Sequence, residues 1–131
     1  MEHDRNVLFQ GAIPENYDRY LGPVIFEPWA KDLASRFAGR KYERVLEIAC
    51  GTGIVTRQLR DALPAKIEIV ATDLNRDMLE FAKPKFREDE KVVWQQADAL
   101  RTESARYHGT SGRACDVYFH CAFSGGSFIR R

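Results

Sequence analysis

Val45-Leu46-Glu47-Ile48-Ala49-Cys50-Gly51-Thr52-Gly53 is the stretch that decides the fold. Val45 to Ala49 is a short apolar run rich in β-branched residues, the composition of a strand buried on both faces of a parallel sheet. It runs into a tight Gly-Thr-Gly turn. Ile54 to Leu63 then places Val55, Leu59 and Leu63 at four-residue spacing, one apolar face of a helix. Strand, glycine turn and helix together open a nucleotide-binding βαβ unit. Gly51 and Gly53 carry no Cβ, so a ligand can approach the backbone closely there.

Two residues narrow the ligand. A dinucleotide fingerprint wants glycine at its third position, and Thr56 stands there. Glu47, inside the strand just before the turn, would repel a pyrophosphate and attract a cation. A ligand with both a nucleoside and a positive charge fits better than NAD. S-adenosylmethionine carries an ammonium and a sulfonium.

Outward from this unit, 131 residues make at most one domain with a modest core. Charged residues form 30% of the chain and the net charge is +1, so no electrostatic footprint for nucleic acid or an anionic membrane is visible. No apolar run approaches the roughly 20 residues of a membrane span. The N-terminus is polar, with no hydrophobic signal segment. Three cysteines without framework spacing read as reduced thiols. The expectation is a cytoplasmic protein.

N-terminal to the first strand, Phe26, Trp29, Ala30, Leu33, Ala34 and Phe37 recur at helical spacing, with Gly39 as the stop. Beyond the first crossover helix, Ile67 to Asp73 is the second strand. Asp73 at its tip, twenty positions after Gly53, is placed to accept from ribose hydroxyls. The rival role is capping the next helix, for which Asn75 is also available. Asn75 to Lys83 is that helix, and Pro84 ends or kinks it. Lys85 to Lys91 reads as a charged run, a solvated loop or frayed turn. Val92 to Gln96 is the third strand, followed closely by Asp98.

The first-strand motif resembles the first motif of the class I S-adenosylmethionine-dependent methyltransferases, of the small-molecule, ubiquinone-biosynthesis-like type. The segments ending at Asp73 and Asp98 resemble the second and third motifs in order and spacing. The likeness covers roughly residues 8 to 100. It implies that Glu47 and Ala49, with the backbone from Gly51 to Gly53, hold the methionine end of the cofactor. Asp73 would hold the ribose, and Leu74 and Met78 would flank the adenine, although Met78 is equally suited to the core. Asp98 would accept from the adenine amine and the Ala99 amide would donate to a ring nitrogen. An N-terminal helical segment often closes over the cofactor with an aromatic residue. Tyr20 and Tyr17 are the candidates, against a plain packing role for both.

After Leu100 the family pattern weakens. The expected organisation is one domain: residues 1–44 an N-terminal helical segment, 45–100 the cofactor-binding core, 101–131 a divergent segment. Cys115 to Phe123 can supply a fourth strand, giving an α/β Rossmann-like parallel sheet of order 3-2-1-4, incomplete beside the seven-stranded family fold. We read the chain as truncated, or out of frame after Leu100. The fourth strand would leave an exposed apolar edge open to homodimer formation. The expected activity is methyl transfer to a small-molecule acceptor, with an inactive cofactor-binding domain as the rival reading. No general base stands out. His120 is the nearest candidate, though a packed or solvent-facing histidine is the commoner role. Cys50, Cys115 and Cys121 with His120 lack zinc spacing, and no metal is expected.

Overall fold

The computed structural model describes residues 13–37, 39, 41–98 and 117–120. Four parallel strands form one sheet: β1 (Arg44–Ile48), β2 (Glu68–Asp73), β3 (Val92–Gln96) and β4 (Val117–His120). Their order is β3-β2-β1-β4, the arrangement expected from the sequence. The chain steps outward from β1 to β2 and β3, then returns to the other side of β1. The carboxyl ends of β1 and β4 therefore flank the point where strand order reverses. Open α/β sheets bind ligands in the crevice at such points.

The sheet's alternation sets what each face does. Val45 and Ile69 face α2 (Glu27–Phe37) and α3 (Ile54–Ala62), meeting Leu33, Ala34, Phe37, Val55 and Leu59 in one buried cluster. Each such leucine or phenylalanine contributes roughly 1.5–3 kcal/mol when fully buried. Ala71 on the same face meets Leu79 of α4 (Arg76–Ala82). Leu46 and Val70 lie on the other face, with Ile48 and Val93 packed around them. Glu47, two residues from Val45, is thus carried to the α3 side.

The N-terminal segment is less regular than its periodicity suggests. A short helix α1 (Ile13–Asn16) leads into a π-helical stretch, Tyr17–Phe26, that contains Pro23 and runs straight into α2. Wide helical turns of this kind are rare and concentrate near functional sites.

The charged segment after α4 is mostly exposed and turn-like, as its composition suggests, but it is not unattached. It forms two tight turns, Lys83–Lys85 and Glu88–Glu90, and is bound to the body of the protein. Arg57 of α3 reaches Glu90 with two bonds of 2.8 and 3.2 Å and lies 4.8 Å over the Phe86 ring. That guanidinium, and then the Arg87 amide, hold the Glu90 carboxyl down at about 2. Arg60, only 6% exposed, donates to four carbonyls: Pro64 at 2.6 Å, Ile67 at 2.7 Å, Glu90 at 2.9 Å and Leu63 at 3.2 Å. One guanidinium thus ties the end of α3 to the start of β2 and the turn before β3.

Arg60→Met keeps the stem and removes every donor. It should lower the unfolding free energy by about 2–4 kcal/mol, the cost of stranding several buried carbonyls, in urea titrations followed by circular dichroism. A loss below about 0.5 kcal/mol would show those carbonyls satisfied by water instead.

Candidate functional site

The site is built where β1 ends. Ala49 leaves the strand with a left-handed backbone, φ 58°. For a residue with a Cβ this conformation costs about 1 kcal/mol, and such strain persists only where the surroundings enforce it. The enforcing contacts are the Cys50 amide donating to the Thr72 carbonyl at 2.9 Å and the Gly53 amide donating to the Cys50 carbonyl at 3.0 Å. The turn is therefore stitched both to β2 and to itself.

The two glycines have different tasks. Gly51 has φ 56°, and a Cβ placed on it would meet nothing within 4 Å. Its backbone borders open space. Gly53 has φ 83°, and a Cβ there would sit 3.2 Å from the Ala82 Cβ, 3.3 Å from Phe86 and 3.5 Å from Trp94. Phe86 and Trp94 meet edge to face at 5.1 Å and fill that space. Gly51 thus leaves the backbone open on that side, whereas Gly53 combines a left-handed φ with tight packing.

Asp73 ends β2. One carboxylate oxygen accepts from the Gly51 amide at 2.8 Å and the other from the Asn75 amide at 2.8 Å. The helix-capping rival is answered by Asn75, whose side chain accepts from the Asp77 amide at 2.8 Å and caps α4. Asp73 instead joins the tip of β2 to the glycine turn. Burial raises its pKa and the backbone amides of Asn75, Gly51 and Leu74 oppose the rise. A carboxylate has about four lone-pair positions, so each oxygen retains capacity for another donor.

Glu47 is enclosed by the fold. It is 0% exposed, and its carboxyl accepts from the Thr56 hydroxyl at 2.6 Å. Thr56, read from the sequence only as a departure from the dinucleotide pattern, is the partner of this acid. Burial raises Glu47 to about 8; the Thr56 bond opposes this and the charge of Asp73 adds to it. Burial thus biases the Glu47 carboxyl toward its protonated form, and the group reaches no surface. Its Oε1 and the hydroxyl of buried Thr52 are the buried side-chain oxygens left without a partner among the described residues.

Of the other expected residues, Asp98 lies half-buried just past β3, where the Ala97 amide donates to the Asp73 carbonyl at 2.9 Å. Leu74 is 45% exposed beside Asp73. Met78 is buried, 5% exposed. Tyr20 is 64% exposed, with the Arg19 guanidinium 5.7 Å from its ring centre, so it does not pack the helix. His120 ends β4 in register with Ile48. Ala99, Cys115 and Cys121 lie outside the described residues, as does the Tyr17 side chain. No group of three metal-ligating side chains occurs among the described residues, and no helix there is long and apolar enough to cross a membrane.

A parallel sheet of this order, with a glycine turn after β1 and an acid at the tip of β2, defines a nucleoside-binding α/β domain. The family model described as "Methyltransferase domain" matches residues 45–121. The chain belongs to this family, the class I S-adenosylmethionine-dependent methyltransferases. A demethylmenaquinone methyltransferase of Staphylococcus epidermidis is 30% identical over 98 residues, covering 72% of this chain and 40% of the relative. The chain thus spans about 40% of the length of the curated relatives it matches. The O-methyltransferase TomG from Streptomyces achromogenes, solved in complex with SAM, superposes with a TM-score of 0.54 at 22% identity, over 72% of this chain and 47% of that one. A methyltransferase from Geobacter sulfurreducens gives 0.54 at 21% identity, over 76% and 51%. These structural likenesses show the fold.

Two measurements test the turn. Between the ordinary carboxyl value of 4.5 and about 8, folded Glu47 holds a proton that the unfolded chain has released. Stability from this group is therefore greatest at low pH and falls as pH rises through that window, by up to about 1.4 kcal/mol per unit. Glu47→Gln should flatten this fall in urea midpoints measured from pH 5 to 8, leaving the smaller slope of the same sign due to Asp73. An unaltered profile would mean Glu47 is ionised when folded. Ala49→Gly should raise the unfolding free energy by about 1 kcal/mol by relieving the left-handed alanine; a loss would show that the methyl group packs favourably.

Proposed function

We propose that this domain binds S-adenosylmethionine at the carboxyl ends of β1, β2 and β3 and transfers its methyl group to a small-molecule acceptor. The observation carrying this reading is Asp73, a carboxylate at the strand tip that accepts from the backbone amides of Gly51, Asn75 and Leu74 and keeps lone-pair capacity for a further donor. Ribose hydroxyls are donors that such an acid accepts, and the charge-assisted bonds are about twice as strong as neutral ones. The open space beside Gly51 admits a ligand against the backbone. Leu74 offers exposed apolar surface beside Asp73. Asp98 supplies an acceptor for an exocyclic amine. Glu47 works from beneath, fixing α3 to β1 through Thr56.

When bound, the cofactor supplies an electrophilic methyl group on a sulfonium. The chain's contribution is placement and exclusion of water rather than covalent chemistry. The acceptor class draws support from the relatives named for methylation of demethylmenaquinone, a small molecule. Methylation of a hydroxyl or an amine calls for a base, a role to which no described side chain is assigned.

Titration calorimetry with S-adenosylhomocysteine tests the reading. Asp73→Asn keeps the size and one acceptor oxygen but loses the charge. It should weaken binding by about 1–3 kcal/mol. Equal affinity in wild type and variant would remove Asp73 from the site. Binding without methyl transfer across an acceptor panel would leave cofactor binding as the function.

A further inference from the structure

The Lys85 ammonium joins the N-terminal segment to the glycine turn. The Lys85 ammonium donates to the Asp18 carboxylate at 2.7 Å and to the Thr52 carbonyl at 3.0 Å, and stands 4.6 Å over the Phe81 ring. Asp18 belongs to the π-helical stretch, Thr52 to the glycine turn, and Phe81 to α4. The turn Lys83–Lys85, with Pro84 inside it, carries Lys85 to this junction. Both charged side chains are partly shielded, with exposures of 33% and 26%.

Among the described side chains, packing in this part of the segment is uneven. Gly22 lies against Ile54, where an added Cβ would come within 3.2 Å of the Ile54 Cδ1. Tyr20 and Val24, by contrast, are 64% and 76% exposed. Anchorage is much firmer in α2, where Ala30, Leu33, Ala34 and Phe37 are buried. The stretch between is a wide-turned helix interrupted by Pro23. A segment anchored in α2, exposed at Tyr20 and Val24 and tied to the glycine turn through Lys85 has the construction of a strap.

We propose that Lys85 is a positioning residue that latches the N-terminal strap, through Asp18, to the carbonyl of Thr52 in the glycine turn. Release of the latch frees residues 17–26 to swing about the start of α2 while the sheet stays folded. The latch is a property of the chain by itself and goes beyond the cofactor reading. A partly shielded ion pair is weakened by salt, so strap opening should increase with ionic strength.

Hydrogen exchange by mass spectrometry on the full chain tests this. Lys85→Met retains the stem over Phe81 and deletes the charge. It should speed exchange in residues 17–26 about tenfold, the scale of one lost hydrogen bond to a charged group, with β1 and β2 unchanged. Asp18→Asn breaks the same pair from the other side without touching α4 and should act in the same direction. The double reversal Asp18→Lys with Lys85→Asp should restore protection in part, since the ion pair returns without the bond to Thr52. Exchange in residues 17–26 within twofold of wild type in both single variants would overturn the proposal. So would a uniform rise across the sheet, which would mark Lys85 as a general stabiliser. S-adenosylhomocysteine dissociation, followed by stopped flow, should be several-fold faster in Lys85→Met. If wild type binds no S-adenosylhomocysteine, the cofactor reading fails while the exchange result still decides the latch.

Discussion

A single carboxylate, that of Asp73, sets the geometry at the carboxyl end of the sheet. Its two oxygens take the amides of Gly51 and Asn75, and its own carbonyl takes the amide of Ala97. The ends of β1, β2 and β3 are therefore fixed to one another at one residue. Desolvation works against its charge, and backbone donors work for it. Desolvation is the larger of the two, but the backbone bonds to this carboxyl already shape the glycine turn before a ligand arrives. Preorganisation of this kind reduces the ordering that binding would otherwise require.

The second acid follows from the first. Glu47 is close enough to Asp73 for the two charges to oppose each other. Glu47 is the more deeply buried, so it is the one that stays protonated. Its bond with Thr56 makes it a strut between β1 and α3. Asp73, bonded to the Gly51 amide, stands at the glycine turn itself, where a carboxylate opposes a pyrophosphate.

The division between what could be read and what could not is physical. Strands β1, β2 and β3 and helices α2, α3 and α4 each announce themselves by burial periodicity, which is local in sequence. Asp73 and Asn75 were legible as a pair because both roles, strand-tip acid and helix cap, depend on neighbours a few residues away. Side-chain partnerships across the fold were not legible. Thr56 joins Glu47, Arg57 joins Glu90 over 33 positions, and Lys85 joins Asp18 over 67. Composition makes Lys85 to Lys91 look like solvated loop, since like runs usually are. What the composition could not reveal was that Arg57 and Arg60 wait on α3 to bind it. The π-helical register of Tyr17–Phe26 likewise leaves no mark on a pattern of apolar residues that fits an ordinary helix nearly as well.

Gly53 carries the broader point about such fingerprints. A glycine in a nucleotide-binding turn is usually credited to the ligand, yet two other demands can enforce it. One is the sign of φ, and the other is what already occupies the Cβ position. At Gly51 only the first applies, because the space beside it is open. At Gly53 both apply, because Ala82, Phe86 and Trp94 stand where a side chain would go. Phe86 is in turn held by Arg57, which is held by Glu90. The close seating of α3 on the sheet thus depends on a glycine, two aromatic rings and an ion pair lying 33 residues apart in sequence. Glycine at this position is first a condition for the helix to start where it does. Exposure of the Gly51 backbone is then a consequence of that placement.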